Sequence, residues 1–482
     1  MTTSTQDHST AVRPDAGPPA ADRAGRSALP VVLLGTFLAT SSFFVINVAL
    51  PTIGRQLGAD PGLLSLLVAG YSAPYAALLV AGGRLGDRFG RRRLFVAGSL
   101  GFALASLLCA VAPGFWTLVA ARVLQGAAAA LLTPQVLSTI QAIFTGAARH
   151  RAIAWFGSTL GLAAAGGQLL GGVVAEYDLG GLGWRAIFWV LVPVAVIMAL
   201  VAVRVVPETT GHPVRIDVLG AALLALPLVL LLVPLSLGAR SGWPLWTWLC
   251  LAAVPVVLVV FVAVERRIER SGRAPLLPLS LFALAPFRRG LVTAAAFFLG
   301  LGGFFLVIGF VLQGGLGMSP LETALLLTPY ALAFLACSLI IPRLVGRFGP
   351  RVIVAGAAVL VLANLAVAVR AALAYRSLSG YGLLPELILL GIGQALVMIP
   401  VFGQILAQLP VQRAGTASGV LSTTQQVGIA LGAAGFGALL FAQPHGPAFS
   451  AEWSGLTAAV FGALAVLAAV TGACALAGSR RR

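Results

Sequence analysis

The sequence predicts an all-α integral membrane protein made of two repeated helical bundles, and three observations carry that expectation. The 482 residues are 59% hydrophobic and only 9% charged, with a mean hydropathy of +1.00, which a water-soluble globule does not tolerate. The apolar residues fall in runs of about twenty, the length a helix needs to cross a hydrocarbon core. The third observation is an internal repeat: Arg343-Leu-Val-Gly-Arg-Phe-Gly-Pro-Arg351 aligns with Arg84-Leu-Gly-Asp-Arg-Phe-Gly-Arg-Arg92. The same offset pairs Gly58 with Gly317, Pro61 with Pro320, Tyr71 with Tyr330 and Phe89 with Phe348.

Taken in order, residues 1–28 lack an apolar core and read as a disordered cytoplasmic tail rather than a signal peptide. About fourteen spans follow by length and hydropathy. Residues 29–206 hold six of them, near Leu29–Ile53, Gly62–Gly82, Leu94–Val111, Phe115–Phe144, Ile153–Val174 and Arg185–Val205. Residues 207–286 form a linker with two extra spans, Val218–Leu237 and Leu245–Val264. Residues 287–477 hold the last six, near Phe287–Leu316, Leu321–Ile341, Val352–Leu373, Leu383–Leu406, Thr416–Phe441 and Gly455–Leu476, and 478–482 are a basic tail.

The formal charge of +17 could suggest nucleic acid, but the arginines sit in short clusters between apolar runs, as topology signals do. With the N-terminus inside, the clusters at 88–93, 266–273, 288–289 and 480–482 all fall on the cytoplasmic side. Only Arg55, Arg185, Arg240, Arg370 and Arg376 fall outside. Both termini are therefore expected in the cytoplasm. Cys109, Cys250, Cys337 and Cys474 lie in separate apolar segments, so no disulfide framework and no metal site is indicated.

The densest charge lies in Gly83-Arg-Leu-Gly-Asp-Arg-Phe-Gly-Arg-Arg-Arg93, between the second and third spans. A stop-transfer cluster has no reason to place Gly83, Asp87 and Gly90 at this spacing. The stretch resembles G-x-L-x-D-R-x-G-R-R-x of the major facilitator superfamily. The resemblance implies two six-helix bundles related by an axis along the membrane normal, with the substrate site between them near the midplane. It also implies a gate role for Gly83, Asp87, Arg88, Gly90 and Arg91, with Asp87 holding the second helix against the other half by bonds that break on opening.

The central helix pair narrows the resemblance to the fourteen-span drug:proton antiporter branch. Asn47-Val-Ala-Leu-Pro51, Arg122-Val-Leu-Gln-Gly126, Gly171-Gly172, Trp184-Arg185, Asp217-Val-Leu-Gly220, Leu312-Gln313 and Ala417-Ser418-Gly419 agree with it. That branch implies a secondary active transporter of the bacterial plasma membrane, coupling efflux of amphipathic drugs or antibiotics to protons by alternating access. The expected partners are a small amphipathic substrate, protons and membrane lipids, with no cofactor and a functional monomer. A lipid or metabolite transporter with other coupling or direction is the alternative. A membrane-embedded enzyme is disfavoured, since no nucleophile-base or metal motif is found.

Two departures from the branch bear on chemistry. Gly167-Gln168 stands where a Gly-Pro is usual, and Ser42 where an aspartate is common. Embedded carboxylates are scarce, with Glu322 the one plausible case. Arg122, about 10 Å into the fourth span at 1.5 Å per residue, is costly to bury and so a functional candidate, and the resemblance implies a part for it in proton coupling; Glu322 is the other proton-coupling candidate. Scarcity of acid also predicts neutral, amphipathic or anionic cargo. Substrate-pathway candidates are Ser42, Asn47, Tyr71, Tyr75, Gln125 and Gln168 from the first half. The second half offers Phe304, Phe305, Gln313, Tyr330, Gln394, Gln425 and Gln426. For each glutamine the competing role is an interhelical hydrogen bond, worth roughly 0.6 kcal/mol, and for each aromatic it is packing.

Overall fold

The computed structural model describes residues 20–59, 63–177, 179–210, 218–238, 242–271, 275, 279–374, 378–407, 411–440 and 450–479. The start of the N-terminal tail, Pro61, Arg215, Arg240, Arg376 and the last three arginines lie outside these residues. The first six helices are α1 (Ala20–Leu57), α2 (Ser65–Phe89), α3 (Arg91–Ala110), α4 (Phe115–Ile143), α5 (Gly146–Tyr177) and α6 (Arg185–Val205). The insert holds α7 (Val218–Leu237), α8 (Leu245–Arg270) and the short α9 (Ser280–Ala283). The rest are α10 (Ala285–Phe310), ending in a π-turn at Val311–Gly315, α11 (Pro320–Phe348), α12 (Arg351–Ala374), α13 (Leu384–Ala407), α14 (Val411–Leu440) and α15 (Ala451–Ser479). Among the described residues twelve helices are long and apolar enough to cross a membrane, and α7 offers a shorter apolar stretch, Leu219–Leu235.

Two expectations from sequence are corrected. Helix α1 begins at Ala20, inside the tail expected at 1–28, because the Ala- and Arg-containing stretch ahead of the apolar run favours helix and extends it. The basic loop at 83–93 is helical almost throughout. α2 runs to Phe89 and α3 starts at Arg91, leaving Gly90 alone as the turn, at φ +104°. Only glycine holds that conformation comfortably. The second copy turns in the same way, at Gly349 with φ +57° between α11 and α12.

Each bundle is built on close helix crossings. α4 packs on α2 and α3, and α5 on α1; in the second half α13 packs on α11 and α12, and α14 on α10. A side chain at Gly126 would strike the carbonyl of Tyr71, and one at Gly391 would strike the carbonyl of Tyr330. The two tyrosines paired by the sequence repeat are thus each approached by a glycine of the facing helix, which lets the backbones come close.

The halves meet along two seams, α5 against α11 and α2 against α14. α7 lies over the second seam, where Leu228 and Leu232 pack with Ala69, Ala76 and Ala77 of α2 and Ala430 and Ala434 of α14. Both ends of the insert are tied to the first half. Thr209 accepts from the Arg91 N–H at 2.9 Å, and Glu208 accepts from the Arg92 N–H at 3.1 Å. At the far end of the insert, Arg84 donates to the carbonyl of Pro275.

Candidate functional site

Between the halves lies a cavity of about 320 Å³, lined by α1, α2, α4 and α5 from one side and α10, α11, α13 and α14 from the other. At the loop end its wall reaches Gly83, Arg84 and Asp87 of α2 with Ser138 and Gln141 of α4. At the opposite end Phe43 and Phe44 of α1 meet Phe305 of α10, with ring centroids 6.4 and 4.7 Å apart, edge to face. Beyond them the halves are in contact. Gln313 Nε2 donates to the Val48 carbonyl at 2.9 Å, and Gly172 of α5 packs against Pro320 and Ala324 of α11.

Of the pathway candidates read from sequence, the cavity brings together Tyr71, Tyr75, Phe305, Tyr330, Gln394, Gln425 and Gln426. Tyr71 Oη donates to the Ala39 carbonyl at 2.7 Å, and Tyr330 Oη donates to Gln394 Oε1. Phe304 sits behind Tyr330, with centroids 5.6 Å apart, outside the central cavity.

The remaining candidates serve other purposes in this conformation. Ser42 and Gln125 surround Arg122, which is fully buried. Its Nη1 donates to Ser42 Oγ at 2.9 Å and Gln125 Oε1 at 2.6 Å, and its Nε donates to the Leu67 carbonyl at 3.1 Å. Gln125 Nε2 passes the chain on to Ser106 Oγ at 2.8 Å. The guanidinium carbon lies 4.4 Å from the centroid of the Tyr71 ring, so Tyr71 forms a wall between Arg122 and the cavity. Nη2 has no hydrogen-bond partner, and the charge is met by neutral oxygens and a ring face. Asn47 bonds within its helix to the Phe43 carbonyl at 2.6 Å. Gln168 is buried with neither amide atom bonded, one turn beyond cavity-lining Ala164 toward the closed end.

Glu322, read from sequence as an embedded acid, is exposed at the start of α11. Its carboxylate accepts from the Ser319 N–H at 2.8 Å while Ser319 Oγ accepts from the Glu322 N–H at 3.2 Å. This reciprocal pair is a helix cap, and it engages the carboxylate at the helix end.

The gate residues divide as well. Asp87 pairs with Arg91 at 2.9 Å across the Gly90 turn, and Arg91 also donates to the Ser138 carbonyl at 2.9 Å. The bond from Asp87 to the other half that the resemblance implies is replaced here by one within the first half. Gly90 is packed against the Glu208 carboxylate, which also pairs with Arg92 at 3.5 Å. Gly83 lines the cavity, while Arg88 lies over Phe89 on the surface.

Sequence reasoning missed several cavity residues: Phe43, Phe44, Phe156, Phe334, Phe402 and Gln141. Apolar side chains facing a cavity carry no mark separating them from those facing lipid or core. Gln135, which ties α4 to the Gly82 carbonyl at 2.9 Å, was detectable as a glutamine within an apolar run.

A family model described as Major Facilitator Superfamily matches residues 32–433. The "Probable actinorhodin transporter" of Streptomyces coelicolor is 38% identical over 429 residues, covering 88% of this chain and 74% of that protein. Puromycin resistance protein pur8 of Streptomyces alboniger is 37% identical over 412 residues, covering 84% and 80%. Among solved structures, a peptide transporter POT in complex with sulfate superposes with a TM-score of 0.65 at 17% identity, covering 93% of this chain and 94% of that one.

Proposed function

Since the chain belongs to the Major Facilitator Superfamily, we propose that it exports small amphipathic drugs or antibiotics across a bacterial plasma membrane by alternating access, in exchange for protons. The observation that carries this reading is a cavity shared by both halves, reaching the loop end and sealed at the other by α1, α5, α10 and α11. With both termini and the Gly90 turn in the cytoplasm, this is the conformation that receives cargo from inside. The names of the two relatives, an actinorhodin transporter and a puromycin resistance protein, support export of such molecules. One chain supplies both walls of the cavity, so the working unit is a monomer.

Coupling falls to Arg122 rather than Glu322, which is engaged as a cap. Arg122 is held by Gln125 of its own helix and by Ser42 of α1, the Leu67 carbonyl and the Tyr71 ring of α2, and the last three move if α1 and α2 shift relative to α4. Rearrangement of this cluster would link cargo occupancy beside Tyr71 to release of a proton on the loop side. Asp87, at the cavity's loop end, is the carboxylate facing the side on which protons leave in such an exchange.

The test uses everted membrane vesicles with an acid-inside gradient, to which puromycin is added. Dissipation of the gradient by puromycin, lost in Arg122→Ala, is the expected result. Puromycin uptake that leaves the gradient untouched would overturn proton exchange, and absence of uptake would overturn export of this cargo.

A further inference from the structure

The cavity wall has a chemical character more specific than amphipathic. Nine of the described side chains lining it are aromatic, drawn from both halves, among them Tyr71 and Tyr75 facing from α2 and Phe305 and Tyr330 from α10 and α11. Aromatic faces and edges interact best with other flat π-systems, offset or edge to face. Three glutamines of α13 and α14 complement them. Gln425 and Gln426 are partly open to the cavity, and Gln394, which accepts from Tyr330 through Oε1, keeps its Nε2 as a donor.

Charge is distributed unfavourably for a cation. Among the described lining residues the charged ones are Arg84 and Asp87, both at the loop end, and Asp87 is engaged by Arg91. A cation deeper in the cavity would lose its hydration without gaining a carboxylate. Aromatic rings alone can hold cations. Here, however, the Tyr71 ring already carries Arg122 on one side, 4.4 Å from its centroid, so that wall presents a positive field to the cavity.

From these features we infer that the cavity selects flat, uncharged, polycyclic aromatic molecules bearing carbonyl or hydroxyl groups along one edge, with Gln394, Gln425 and Gln426 reading that edge. The inference rests on the cavity being the cargo site, as proposed above. Each polar edge group satisfied by an amide spares a buried hydrogen-bonding group from going unpaired. Arg122 acts at a distance, as a discriminator against cations.

Equilibrium binding to the purified full chain in lipid nanodiscs tests this without any transport step. Three probes are compared: quinizarin, a flat uncharged dihydroxyanthraquinone; ethidium, a flat permanent cation; and a saturated steroid diketone of similar bulk, read by displacement of quinizarin. Quinizarin is expected to bind at least about tenfold more tightly than either competitor, a difference well within reach of a few such contacts. The double variant Gln425→Leu/Gln426→Leu should weaken quinizarin about fivefold or more, and Arg122→Gln should narrow the gap between quinizarin and ethidium. Ethidium or the steroid binding as tightly as quinizarin to the unaltered chain would overturn the inference. An unchanged affinity in the glutamine double variant would overturn the role assigned to these amides. Loss of vesicle export with the probe order intact would remove only the efflux reading, and a reversed order with export intact would remove only this one.

Discussion

Asp87 and Glu322 show how similar carboxylates near a helix end take different parts. Asp87 is partly exposed, one i,i+4 step from Arg91, and pairs of that kind contribute at most about 1 kcal/mol to stability. Asp87→Asn is therefore expected to insert and fold normally while slowing puromycin efflux several-fold, because the residue also lines the cavity at its loop end. Wild-type rates at equal surface expression would remove its gate role. Glu322, by contrast, works as a cap, and a glutamine can fill the same position. Glu322→Gln should leave transport and its pH dependence unchanged, whereas Glu322→Ala should cost about 1 kcal/mol of stability, read as a lower melting temperature in detergent. Loss of coupling in Glu322→Gln would restore it as a titrating group. The sequence Ser319-Pro-Leu-Glu322 carries the capping-box spacing, so this role was legible. Hydropathy alone does not register a cap. Arg122 was legible for the opposite reason, since a buried arginine is conspicuous in an apolar run. Its separation from the cavity by one tyrosine ring depends on side-chain placement, which hydropathy does not encode.

At the scale of elements, the paired crossings of α2 with α4 and of α11 with α13 give the repeat its physical content. Gly126 and Gly391 let each facing helix reach the backbone of Tyr71 or Tyr330. Gly126→Val and Gly391→Val should each push these helices apart, lowering the yield of folded protein and displacing a cavity tyrosine. The measurement is size-exclusion monodispersity together with quinizarin affinity. Equal behaviour of both variants with wild type would mean that the crossings relax freely. The tyrosine pair emerges from the sequence offset, but the glycines do not share that offset, so only the structure matches them. The insert was visible as two additional apolar runs. Its attachment to the first half, by Glu208 and Thr209 at one end and Pro275 at the other, could not be read, because each bond has a backbone partner: the N–H groups just after the Gly90 turn at one end, and the Pro275 carbonyl, met by the Arg84 side chain, at the other. α7 is accordingly expected to travel with α2 and to slide on the small side chains Ala430 and Ala434 of α14.

For the molecule as a whole, alternating access requires that the sealed end be held only as firmly as it can be released. The contacts there are modest: a long hydrogen bond from the Leu321 N–H to the exposed Glu176 carboxylate at 3.4 Å, the aromatic meeting of Phe43 and Phe44 with Phe305, the close fit of Gly172 on Pro320 and Ala324, and the neutral hydrogen bond from Gln313 to the Val48 carbonyl. A neutral hydrogen bond contributes about 1 kcal/mol net, so its loss shifts a two-state ratio about fivefold. Gln313→Leu should thus favour opening at this end by about that factor. Gly172→Val should do more, since any side chain at that position collides with Ala324 and the Pro320 carbonyl and interfaces packed this closely do not deform gradually. A cysteine introduced at Phe305, labelled by an impermeant maleimide from outside the cell, reads the opening. Labelling should be slow in the parent, several-fold faster with Gln313→Leu and fastest with Gly172→Val, which should also lose puromycin efflux because it cannot return to the conformation that loads from the loop end. Equal labelling in all three would mean that the seal is held elsewhere, and efflux surviving in Gly172→Val would mean that the α5–α11 seam need not close for the cycle to turn.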